Sequence, residues 1–276
     1  MDAKGSAADS SLLVEVRDRI AIATLNRPAA RNALNQDLLS HFAQFMIDVD
    51  DDDEVDVVVL TGADPVFCAG LDLRELENGK GFQLGKLSTE GRPWRRCQKP
   101  LVGAINGAAV TGGLELALTC DFLVASERAR FADTHTRVGI QPYWGLSVLL
   151  PEAVGVRNAK YMSATGNFVG AEQAMTMGLV TCVVAHEELL STAMGVAREI
   201  VSNDAEALHV LMAGYEETIG LSQDAAMKAE QRRAIAWQTW HYDASTMAQK
   251  RQALTKRGSS KVAANEISDE IRKSSP

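Results

Sequence analysis

Glu115 lies in a stretch whose residue types could hold an oxyanion and move a proton. Ile105–Asp121 reads as an apolar strand, a turn carrying Gly107, Gly112 and Gly113, and an apolar helix running through Leu114, Leu116 and Ala117. That order sets Glu115 in the first turn of the helix, where free backbone N–H groups and the positive end of the helix dipole converge. Charge developing on a carbonyl oxygen would be stabilised there, beside an acid/base. A second segment, Pro65–Leu73, could supply another N–H donor. A plainer reading stays open, in which Gly112-Gly113 only permits a tight turn and Glu115 caps the helix amides.

The elements that must position these groups alternate in type. Leu12, Val14 and Val16 alternate with polar residues, Asp18-Arg19 suits a turn, and Ile20–Leu25 returns, which together predict a β-hairpin. Leu38, Leu39, Phe42, Phe45, Met46 and Val49 fall on one helical face, with Asn35 as N-cap. Val55–Leu60, Pro100–Ile105 and Asp121–Ala125 are nearly continuous apolar runs, as strands covered on both faces require. Strands and helices in alternation predict an α/β fold. Asp50–Glu54 reads as a solvated acidic turn, and Glu75–Trp94 as a mobile polar loop over a site. After Asn203 the pattern turns helical, with one long stretch from Gln223 to Lys256 in which Trp237 and Trp240 are expected to pack in a core or interface.

The chain has 276 residues, near the upper size for a single core, so one domain with an appendage is expected: a flexible start (1–11), an α/β core (12–203) and a helical region (204–276). A net charge of −8, from 28 basic and 36 acidic residues, argues against nonspecific nucleic-acid binding. Residues 1–11 carry neither a secretory nor a transit pattern and no apolar run spans a bilayer, so a cytoplasmic protein without membrane association is expected. Cys68, Cys97, Cys120 and Cys182 lie far apart without zinc-like pairing, which predicts reduced thiols and no metal.

Four ordered blocks give the chain a wider resemblance. Leu25-Asn26-Arg27-Pro28 with Asn32-Ala33-Leu34, Val58–Gly62 leading into Pro65–Leu73, Ile105–Asp121, and Ala171-Glu172-Gln173-Ala174 with Gly178-Leu179-Val180 together resemble the crotonase superfamily, that is, the enoyl-CoA hydratase/isomerase family, over about Leu12 to Val184. The resemblance implies a spiral of ββα units with a C-terminal helical region that completes trimers, often paired into hexamers. It implies an enzyme of fatty acid metabolism that hydrates 2-enoyl-CoA thioesters, with no cofactor, since coenzyme A is part of the substrate.

By the same resemblance the backbones of Leu71 and Gly112 form the oxyanion hole, and Glu115 is the acid/base. Arg27, Ala33, Ala69, Asp72 and Arg74 are implied at the CoA moiety. Thr111, Tyr143 and Trp144 are implied in the acyl pocket. The chain departs from the family at three places. Thr111 stands where a small residue is usual, which should reshape the pocket and spare the oxyanion hole. Tyr143-Trp144 replaces small residues. His135 stands where hydratases carry their second glutamate, with Phe131, Gly139 and Pro142 anchoring the alignment.

Syn hydration needs one group to activate water and another to protonate the α-carbon, and imidazole can do either near neutral pH. His135 is therefore a catalytic candidate, and Asp133 a weaker one that, in an extended chain, would sit further along the same face. Double-bond isomerisation needs only one base, so a single-carboxylate isomerase is an alternative, as is a noncatalytic acyl-CoA binding protein. A dinucleotide-binding fold is disfavoured because no G-x-G-x-x-G follows a first strand.

Overall fold

A computed structural model describes residues 10–77, 91–241 and 243–258. Strands β1 (Leu12–Arg17) and β2 (Ile20–Leu25) form the expected antiparallel hairpin, turning at Asp18 and Arg19 with positive φ. Helix α1 (Gln36–Asp48) starts where Asn35 accepts a hydrogen bond from the Leu38 amide, and it buries Leu38, Leu39, Phe42, Phe45 and Met46. Strand β3 (Val57–Gly62), helix α2 (Leu73–Glu77), strand β4 (Leu101–Ile105) and strand β5 (Ala108–Val110) lead to helix α3 (Gly112–Ala117). Then come β6 (Phe122–Ser126), β7 (Arg130–Ala132), α4 (His135–Val138) and α5 (Leu146–Thr165), which breaks at Gly155. Next are β8 (Val169–Gly170), α6 (Ala171–Met177), β9 (Cys182–Val184) and α7 (Leu189–Val201). Helices α8 (Ala205–Thr218) and α9 (Gln223–His241) follow.

Six strands pair in the order β1-β2-β3-β4-β6-β9, antiparallel at the first pair and parallel beyond it. Alternation across this sheet explains the unbroken apolar runs. Ile20, Ile22, Val57, Val59, Val102, Ala104 and Val124 pack with Leu189, Ala193, Met194 and Ala197 of α7, while Ala21, Ala23, Val58, Leu60 and Leu123 join a larger core with α1 and α5. Each face is covered, so both residue parities must be apolar. A smaller sheet, β5-β7-β8, lies beyond the end of β4. It pairs Ala109 with Phe131 and Val110 with Ala132 in parallel, which brings the start of α3 beside the start of α4.

Three expectations need correction. Asp50 is not solvated: its side chain is 3% exposed and accepts from Arg95 Nη2 (2.7 Å), Cys97 Sγ (3.3 Å) and the Gln98 amide (2.9 Å). It anchors the segment leading into β4, because a buried carboxylate must find donors. The polar stretch after Asp72 starts as α2, and its expected loop character at 78–90 falls outside the described residues. The helical stretch from Gln223 is not continuous to Lys256, since Asp243 is extended and caps a new turn through the Ser245 amide. Of the two tryptophans expected in a core or interface, Trp240 is 82% exposed and so lies outside the chain's own core, and Trp237 stacks on His241 at 3.9 Å. The expected flexible start, residues 1–9, also lies outside the described residues, and the chain forms two compact units, 1–212 and 213–276.

Candidate active site

The site is built where three loops are stitched together. Asn32, fully buried with φ 51°, accepts from the Arg27 amide and donates from Nδ2 to the carbonyls of Ala63 and Val66, both at 2.7 Å. Cys68 pairs with β5: its amide donates to the Ala108 carbonyl and its carbonyl accepts from Val110. These bonds hold Gly70-Leu71 against the turn into α3. A Cβ on Gly70, whose φ is 91°, would lie 3.3 Å from the Gly112 nitrogen, and one on Gly113 would collide with the Cys68 carbonyl. Glycine is required at both places by this close approach.

The amides of Leu71 and Gly112 are left over by this construction. Leu34 bridges to Leu71 through the Gly70 carbonyl and the Asp72 amide, so the Leu71 N–H points the other way. Gly112 opens a helix, where the first N–H groups have no intrahelical acceptor. Among the described residues neither amide donates to a partner.

Thr111, between β5 and α3, has φ 54° and ψ −111°, a conformation that costs a β-branched residue about 1–3 kcal/mol. Three bonds hold it there. Its amide donates to the Ala132 carbonyl, its hydroxyl bonds Thr134 Oγ1 at 2.5 Å, and the Thr134 amide donates to Thr111 Oγ1. The hydroxyl thus ties the two halves of the site together, a role invisible in the sequence.

Glu115 is 2% exposed. Its Oε1 accepts from the amides of Trp144 (2.8 Å) and Leu146 (3.4 Å), while Oε2 stands 3.7 Å from His135 Nε2. Burial raises its pKa, against the lowering by the Trp144 amide and His135. His135 is 3% exposed, and its Nδ1 lies 2.7 Å from Asp133 Oδ1, which also accepts the His135 amide. Asp133 does not sit further along the same face in extended chain. β7 ends at Ala132, and the bend lets the carboxylate fold back onto the ring. An Asp two residues before a His, just after a strand ends, is the sequence signal for this contact.

The remaining candidates divide. Trp144 is 4% exposed and lies over the site, since a Cβ on Gly112 would be 3.1 Å from its ring, and Trp94 packs against it edge-on at 5.3 Å. Tyr143 is 56% exposed. Arg27 is engaged by Asp72 (3.0 Å) and by the Ala33 carbonyl, whereas Arg74 is exposed beside Asp72, and Ala33 and Ala69 flank the Leu71 loop. Among the described residues no three His, Cys, Asp or Glu side chains group as a metal site, and no helix is long and apolar enough to cross a membrane.

Two outward-facing amides beside a buried carboxylate and imidazole form an arrangement for stabilising an oxyanion while moving protons. The family profile of enoyl-CoA hydratase/isomerase matches residues 15–252. The chain belongs to the enoyl-CoA hydratase/isomerase family. Similar members include a probable peroxisomal enoyl-CoA hydratase 1 of Arabidopsis thaliana, 37% identical over 83% of this chain and 88% of that protein. Another is a crotonyl-CoA hydratase of Syntrophomonas wolfei, 33% identical over 81% and 88%. The crystal structure of an enoyl-CoA hydratase from Mycobacterium smegmatis is similar with a TM-score of 0.70 and 51% identity, covering 83% of this chain and 98% of that one. An enoyl-CoA hydratase from Bacillus anthracis reaches 0.80 at 28% identity, covering 90% and 96%. The fold is the crotonase-like α/β fold expected from the sequence.

Proposed function

We propose that this enzyme adds water to 2-enoyl-CoA thioesters in fatty acid metabolism. The observation that carries the reading is the Glu115–His135 pair, buried and 3.7 Å apart. That gap is too long for a direct hydrogen bond and short enough for one water to touch both atoms. In the reaction Glu115 Oε2 takes a proton from the water, whose oxygen bonds to C3. The C2=C3 electrons shift towards the thioester oxygen, which the Leu71 and Gly112 amides hold. His135 Nε2 then delivers a proton to C2, and the elements of water have been added across the double bond. The amides contribute because they are strongest where charge develops.

Trp144 bounds the acyl side in this reading, with Thr111 behind the turn and Tyr143 towards solvent. Backbone around Ala33, Ala69 and Asp72 receives the CoA moiety, the exposed side chain of Arg74 meets its phosphates, and Arg27 acts mainly by bracing Asp72. A homotrimer or dimer of trimers is part of the proposal. It is supported by exposed Leu211 and Tyr215 on α8, Ile219 just beyond its end, and exposed Trp240. Light scattering on the purified protein tests it.

The deciding experiment is conversion of crotonyl-CoA and of a 3-enoyl-CoA by the native chain, Glu115→Gln and His135→Ala. Hydration lost in both variants supports the pair. Reaction of the 3-enoyl substrate alone, with His135 dispensable, would make the protein a one-base isomerase. Tight binding without conversion of either substrate would leave only acyl-CoA binding.

A further inference from the structure

His135 is held on both sides. Asp133 Oδ1 meets Nδ1 at 2.7 Å and also accepts the His135 amide at 3.1 Å, while Nε2 faces Glu115 Oε2. Burial pushes the Asp133 carboxyl up, but its bonds to His135 and to the Ser163 side chain outweigh that and bring it below the ordinary carboxylate range. An ionised carboxylate only accepts hydrogen bonds, so Nδ1 must carry a proton whenever this contact is made. The ring then has one nitrogen left for proton exchange, and it is the nitrogen that faces Glu115.

We propose that Asp133 is a positioning residue for the reaction, fixing the tautomer and orientation of His135 so that Nε2 is the acid that meets the substrate. This rests on the catalytic reading of His135 given above. Among the described residues no other charged group competes for the ring: Glu115 and Asp133 face it, Arg137 of α4 turns to the Thr165 carbonyl and Asn167, and Glu152, Arg157 and Lys160 of α5 are exposed. An amide at position 133 can either accept from or donate to Nδ1, so replacing the carboxylate removes what fixes the proton there.

The test compares the native chain with Asp133→Asn and Ser163→Ala, reading kcat and KM for crotonyl-CoA against pH and the 15N resonances of the His135 ring. For Asp133→Asn we expect kcat to fall about 10- to 100-fold, with KM within about threefold. Ser163→Ala, which keeps the carboxylate, should keep the proton on Nδ1 and lower kcat by less. In the native chain the spectra should show a proton on Nδ1 across the titration; in Asp133→Asn they should show a mixture of tautomers. A lower kcat with the tautomer unchanged would reduce Asp133 to a structural bend residue and overturn the proposal. Native protein silent on every enoyl-CoA would sink the hydratase reading instead, and the ring spectra would still decide whether Asp133 sets the tautomer.

Discussion

Glu115 and Asp133 are equally buried carboxylates on opposite sides of one imidazole, and their proton affinities move in opposite directions. Glu115 has backbone amides on one oxygen and an imidazole beyond hydrogen-bond distance from the other, so burial dominates and raises its pKa. Asp133 makes direct bonds to the ring and to Ser163, which overcome burial and lower it. Burial alone therefore does not decide what a carboxylate does; the partners that come with it do. The carboxyl poised nearer neutrality is suited to exchange protons, and the one held ionised is suited to orient a neighbour.

The largest test of that contrast is Glu115→Gln. It should lower kcat by about 10²- to 10⁴-fold while acyl-CoA affinity measured by calorimetry stays within a few-fold, because amide and acid have the same shape. Turnover at the native rate would remove Glu115 from the chemistry. His135→Ala comes next, with about a 10²-fold fall in hydration expected. If that variant also lost all response to Asp133→Asn, the two residues would be shown to act as one unit, since coupled groups are not additive.

A smaller effect should follow from Trp144→Ala. Water reaching Glu115 would relieve the burial that raises its pKa, so the acid limb of the kcat profile should move to lower pH, by a fraction of a unit up to about one unit. A limb that stayed in place would mean that groups other than the indole keep water from Glu115.

Smallest are the effects on stability, about 1–2 kcal/mol each. Because the folded-state pKa of Glu115 is raised, its ionisation opposes folding as pH rises from the ordinary value through the raised one, and Glu115→Gln should melt higher than native at neutral pH with the gain fading in acid. Asp133 has the reverse sign. Its contribution is present above the unfolded-state value and is lost as pH falls through the lowered folded value, so Asp133→Asn should melt lower at neutral pH and converge on native in acid. Calorimetric melting at several pH values reads both, and parallel curves for the two variants would break the contrast.

The hairpin at Asp18-Arg19, the Asn35-capped helix and the doubly covered strands were legible because each leaves a local signature: alternation, a 3.6-residue stripe or an unbroken apolar run. Glu115 and the Gly112-Gly113 turn were legible for the same reason. The bend that folds Asp133 onto His135, the tie between Thr111 and Thr134, and the burial of Asp50 under Arg95–Gln98 were not. Each depends on a donor or acceptor arriving from a segment outside the local pattern, or on a backbone angle that residue type alone does not dictate. The short strands β5, β7 and β8, of two or three residues, were also hidden, since so few residues show no period.

Taken alone, the sequence determined the α/β class, the family and the placing of one carboxylate at a helix start, because apolar periodicity and ordered motifs depend on neighbours along the chain. Only the tertiary structure decided which groups face that carboxylate. The parallel register of β5 on β7 carries His135 to within 3.7 Å of Glu115 and leaves Asp133 on its far side. Proton affinity follows from those through-space partners, and the intervening chain gives no local sign of them.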